Sequence, residues 1–197
     1  MRNGSVEEAK TTARELIEAA EVRANPWGYS YALLTFGMAW CDADPERARD
    51  ALQRGLVIAQ DGGIRYNESH LMNVLGRLEA RHGDALAALG YFKLAIRYYH
   101  DSGNTTVIRV PLASLAACLD RLGCAEGAAV IAGFSSSSFT RAWLPELATA
   151  IAHLREVLGD RRYDELAQKG PEVTTAAVVT YAYDQIDQAQ TTLEHPS

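Results

Sequence analysis

Three stretches of the chain repeat one another at a spacing of about 40 residues, and a repeat of that length limits which folds are open to it. Ala48, Ala88 and Ala128 fall at matching places, and so do Leu52, Phe92 and Ala132, behind turns at Asp44, Gly83 and Gly123. The middle copy is the clearest: Leu75-Gly76, then Gly83-Asp84, Ala88, Phe92 and Ala95. Small residues at these spacings let two antiparallel helices approach closely, while the large apolar side chain fills the space above them. Each hairpin leaves an apolar face uncovered, so hairpins stack into a solenoid, which offers a surface for holding partners. The expected fold class is all-α.

Helix signals divide the chain further. Ser5 with Glu8 reads as a capping box, and Val6, Ala9, Leu16, Ile17 and Ala20 give the stripe of a first helix ended by Asn25-Pro26-Trp27-Gly28. A second helix runs to about Cys41 through Leu33, Leu34, Phe36, Gly37 and Trp40, and Asp44-Pro45 starts a third that Gly62-Gly63 stops. The expected hairpins span about 27–62, 66–102 and 105–134. Ser135-Ser136-Ser137-Ser138 reads as a mobile polar connection, with a plain loop weighed above a phosphorylation site. Beyond it come a helix through Leu144, Leu147, Ile151, Leu154 and Leu158, a short one from Asp160 to Gln168 stopped by Gly170-Pro171, and a last one capped by Thr174 or Thr175. Residues 1–134 are therefore expected to form the repeats and 135–197 a C-terminal helical cap packed on them. No stretch alternates with period two for long, so no sheet is expected.

Charge and cysteine usage narrow the function classes. The net charge is −6, with four basic against eight acidic residues from Arg155 onward and seven against five between Arg65 and Arg121. An acidic chain lacks the concentrated basic surface that nucleic acid requires, so no direct nucleic-acid partner is expected. No apolar run approaches the ~20 residues that span a bilayer, and Met1-Arg2-Asn3-Gly4-Ser5 lacks a secretory pattern, so a cytoplasmic location without membrane contact is expected. Cys41, Cys118 and Cys124, odd in number and set in apolar helical patterns, read as reduced thiols.

Enzyme signatures are missing: no GxGxxG, no P-loop and no GxSxG elbow. His70, His82, His100, His153 and His195 are scattered, and neither a metal site nor a cofactor is expected. Asp42 and Asp44 read as helix caps rather than metal ligands, and Asp160-Arg161-Arg162-Tyr163-Asp164 as local ion pairs rather than an anion site. One constellation points to binding. With Gly76 at the tight contact between hairpin helices, His70, Asn73, Arg77 and Arg81 face the inner groove, and Arg121 takes the place of Arg81 in the next hairpin. Guanidinium groups bind carboxylates bidentately, so such a groove suits an acidic or C-terminal carboxylate peptide. Tyr66, Tyr91, Tyr98 and Tyr99 are expected to pack between hairpins.

The small–large pattern resembles the tetratricopeptide repeat, whose usual length is about 34 residues. The first copy lacks one residue before Pro45, and the third has Ala116 where glycine is expected. The segment from Ala128-Ala129-Val130-Ile131-Ala132-Gly133 through Leu144-Pro145, Leu154-Arg155-Glu156-Val157-Leu158-Gly159 and Tyr163-Asp164-Glu165-Leu166-Ala167 to Ala182 looks like the C-terminal helical-repeat tail of large actinobacterial regulators. Those proteins typically join a STAND-type NTPase module to such repeats, and many add a LuxR-type helix-turn-helix or a nucleotide cyclase domain. The resemblance implies a right-handed superhelical stack of antiparallel hairpins that acts as a non-catalytic sensor or interaction arm. Its partners would be a protein or peptide, acidic in character, or other domains of a larger regulator, with self-association compatible with either. The alternative is a small-molecule-sensing domain whose ligand lodges between repeats and cap. No catalytic motif of the family maps onto these residues.

Overall fold

Pro26 and Pro45 each open a helix, and in both cases the residue before the proline supplies the cap. The Asn25 side chain accepts from the Gly28 N–H at 3.3 Å, starting α2 (Pro26–Trp40). The Asp44 carboxylate accepts from the Arg47 N–H at 3.1 Å, starting α3 (Pro45–Asp61). Proline at the first helical turn forfeits no hydrogen bond and presets φ. The computed structural model describes residues 2–22, 25–172 and 174–195, and every regular element among them is an α-helix. The others are α1 (Arg2–Val22), α4 (Arg65–His82), α5 (Ala85–Asp101), α6 (Arg109–Arg121), α7 (Ala125–Ser135), α8 (Ser138–Trp143), α9 (Pro145–Leu158), α10 (Asp160–Glu172) and α11 (Thr175–Glu194). No helix among the described residues is long and apolar enough to cross a membrane. The Ser5 capping position falls inside α1, and the side chains of Ser5, Val6, Ala9 and Ala20 lie outside those described.

The chain divides into two compact units, residues 1–84 and 85–197, so the boundary falls at the turn of the middle repeat. In the first unit α2 packs between α1 and α3, and α4 packs on α3 and α2. Gly37 makes a close contact between helices: a Cβ there would stand 2.4 Å from Leu52 Cγ, so the large residue of the repeat fills the place a side chain would have taken. Ala48, Leu52, Leu71 and Leu75 are sealed from solvent in this unit. A second tie is ionic. Arg49 Nε donates to Glu79 Oε1 at 2.7 Å, and Glu79 Oε2 accepts the Asp84 N–H at 3.2 Å, joining α3 to α4 and to the turn after it. The bonds from Glu79 and Glu46 hold the Arg49 pKa above its usual range.

In the second unit α6 and α7 pack closely, and Ala113, Ala116, Ala128 and Ala132 on them are fully buried. The α9 and α10 helices pack on α7, and α11 packs on α5 and α7. Three expectations change here. Ser135–Ser138 is no loose connection: Ser135 closes α7 with its hydroxyl bonded to the Ile131 carbonyl at 2.8 Å, and Ser137 caps α8 in a reciprocal capping box with Thr140. Four serines in a row look unstructured by composition, yet hydroxyls suit helix ends for the same reason that they disfavour helix middles. Nor do Gly170-Pro171 stop α10 after Gln168. Gly170 is there because α10 crosses α7 with almost no gap: a Cβ would stand 2.3 Å from the Phe134 nitrogen. The acidic residues of the 160–164 run pair outside α10 rather than locally, with Arg155 of α9 holding Asp160 at 2.8 Å and Asp164 at 2.7 Å, while Arg161 and Arg162 approach Glu165 within the helix.

Candidate functional site

A stripe of accessible side chains runs along α4: Tyr66, His70, Arg77 and Arg81, at helical spacings of four, seven and four residues. Stepping back by one repeat, 39 residues, gives Trp27, Tyr31, Met38 and Asp42 at the end of α2. All four of those are exposed. The intervening pair, Leu34 and Asn73, match in burial too, each 4% exposed. Equivalent positions of successive repeats share one side of the unit, and the hydrogen bonds agree. Asn67 Nδ2 donates to the Trp27 carbonyl at 3.0 Å near the N-terminal ends, and Arg81 Nη1 donates to Asp42 Oδ1 at 2.8 Å at the C-terminal ends. The α2 and α4 helices thus run side by side in the same direction.

The two ends of this face differ in chemistry. At the N-terminal end Trp27 and Tyr31 stack with ring centroids 5.4 Å apart and planes 6° from parallel. Tyr66 stands edge-on to His70 at 4.5 Å and is 51% exposed. Burial pushes the His70 pKa below its ordinary value, so the imidazole is neutral at pH 7. At the C-terminal end lie Arg77, half-buried, and Arg81 with Asp42 and His82, whose Nε2 is 3.9 Å from the same carboxylate. The Asp42 side chain is 79% exposed, so its bond to Arg81 is a surface ion pair worth about 0–1 kcal/mol and opens at little cost.

His70, Asn73, Arg77 and Arg81 therefore share one face of α4, with Asn73 closed to solvent rather than lining the surface. Arg121 is exposed in the last turn of α6, in the second unit. Asp44 caps α3 as expected, whereas among the described residues Asp42 caps no helix and holds Arg81. Of the four tyrosines expected between hairpins, Tyr99 is buried but Tyr66 faces out. Trp27, Tyr31 and Met38 were missed by the sequence reading, although shifting the groove positions back by one repeat would have found them.

A scan against protein-family models finds no match for this chain, and searches of curated proteins and of solved structures find none either.

Proposed function

We propose that the chain is a non-catalytic interaction module whose α2–α4 face binds a protein segment, within a right-handed superhelical stack of hairpins serving a bacterial signalling or transcriptional regulator. The observation that carries this is the stacked Trp27–Tyr31 pair, held half-exposed with Tyr66 on the same face as two arginines. Rigid aromatic rings offer large contact area at small entropic cost, and they dominate binding hot spots together with arginine. The complementary segment carries an apolar or aromatic anchor for the ring end and a carboxylate for Arg77 and Arg81. The regulator context comes from the resemblance of residues 128–182 to actinobacterial helical-repeat tails.

The test is selection from a random peptide display library on the wild-type protein, counter-screened against Trp27→Ala/Tyr66→Ala. Enriched peptides should combine an apolar anchor with an acidic residue, and should lose affinity for the variant by roughly one to two orders of magnitude. Peptides that bind the variant equally well would exclude this face.

The small-molecule alternative also has a structural foothold, a cleft bordered by α7, α10 and α11.

A further inference from the structure

The α10 and α11 helices both lie against α7, and between them opens a cleft of about 370 Å³. Its floor is apolar: Leu166 and Val178 are nearly sealed, and Val130 is half-buried beside them. Its polar groups are few: an ion pair, a lysine and a tyrosine. Glu126 accepts from Arg162 Nη2 at 2.7 Å and from Nε at 3.2 Å, so this pair is neutralised internally. That leaves Lys169 on the α10 wall and Tyr181 on the α11 wall. Among the described residues neither the Lys169 ammonium nor the Tyr181 hydroxyl has a hydrogen-bond partner. Burial, with Glu126 nearby, raises the Tyr181 pKa, so its phenol remains a donor at neutral pH. Two donors and no uncompensated acceptor over an apolar floor define the complement.

We infer that this cleft binds a small monocarboxylate with an apolar chain, its head on Lys169 and Tyr181 and its chain on Val130, Leu166 and Val178. A volume near the low end for ligand sites restricts the chain to a short one. The site is independent of the α2–α4 face, so either assignment can fail alone.

The probes are butanoate, hexanoate and octanoate below their micellar concentrations, with hexan-1-ol and hexylamine as controls, read by isothermal titration and thermal melting of the full chain. Saturable binding should tighten roughly fourfold for each methylene buried, and the melting point should rise with ligand concentration. Hexylamine should not bind, and hexanol should bind roughly tenfold more weakly than hexanoate, the worth of one charge-assisted contact. Lys169 is exposed but stands in the last turn of α10, four residues after Glu165, so Lys169→Glu should lower melting without ligand only slightly while costing hexanoate at least that factor. Val130→Trp should fill the cleft and abolish binding. No saturable binding, equal binding of alcohol and acid, or full affinity in the Lys169→Glu variant would each overturn the assignment.

Discussion

Gly133 of α7 and Gly170 of α10 face each other where the two helices cross, each lying against the other's backbone. A Cβ on Gly133 would stand 2.1 Å from the Ala167 carbonyl oxygen, and one on Gly170 would stand 2.9 Å from the Gly133 carbonyl carbon. Backbone cannot swing aside as a side chain can. Alanine for glycine inside a helix ordinarily stabilises by about 0.5–1 kcal/mol, but here the sign should reverse. Gly133→Ala and Gly170→Ala should each destabilise by about 1–3 kcal/mol in urea denaturation. Gly127 is the control: its nearest obstacle is the end of the Gln185 side chain, which can move, so Gly127→Ala should cost far less.

Removing the carboxylate from the Arg49–Glu79 tie leaves a largely buried guanidinium without its main partner. Glu79→Ala should cost about 2–4 kcal/mol by chemical denaturation, somewhat below a fully buried pair because the Arg49 side chain keeps 20% of its exposure. Arg49→Ala in the Glu79→Ala background should cost less than Arg49→Ala alone. Additive losses would mean that the two side chains do not act as a pair.

The repeat itself predicts which core truncations hurt most. Leu52 and Phe92 are fully buried at equivalent positions. Leu52→Ala should cost about 2–5 kcal/mol and Phe92→Ala about 3–5. A loss below about 1 kcal/mol at either would break the alignment of the copies.

Two histidines should titrate in opposite directions. His153 Nδ1 lies 2.8 Å from Asp120 Oδ1, and that hydrogen bond and charge, aided by Glu156, raise its pKa. Its contribution to stability is fully present below the unfolded value of about 6.5 and fades as pH rises through the folded pKa. His70, lowered by burial beside the Tyr66 ring, works the other way: it favours the native state above about 6.5, and that is lost as pH falls through its folded pKa. Imidazole proton shifts followed by NMR should place the His153 midpoint above and the His70 midpoint below that of an unfolded peptide. Asp120→Asn should bring the first back toward it.

Periodicity and capping chemistry are local, and they made most helices legible. Asn25-Pro26, Asp44-Pro45 and Gly62-Gly63 all mark ends close to those observed. What escaped depended on partners distant in sequence. Gly170 looks like a stop until Phe134 is seen against it, and Ser135 looks solvated until its burial is known. The face proposed to bind was half legible for a related reason. Arg77 and Arg81 advertise themselves by charge, whereas Trp27 and Tyr31 look like core residues because aromatic side chains usually are. Only the repeat offset, applied consistently, turns them outward.

The bond between Arg81 and Asp42 has a consequence for selectivity. Asp42 is tethered, so it meets the guanidinium at an effective concentration that free acids in solution do not reach. A stray carboxylate therefore loses the contest for Arg81. A carboxylate joined to a residue already seated on Trp27 and Tyr66 is tethered as well, and competes with Asp42 on equal terms. For the segment proposed to bind this face, charge at one end would thus become readable only after the aromatic end is filled, and the surface would respond to two features of a partner together and to neither alone.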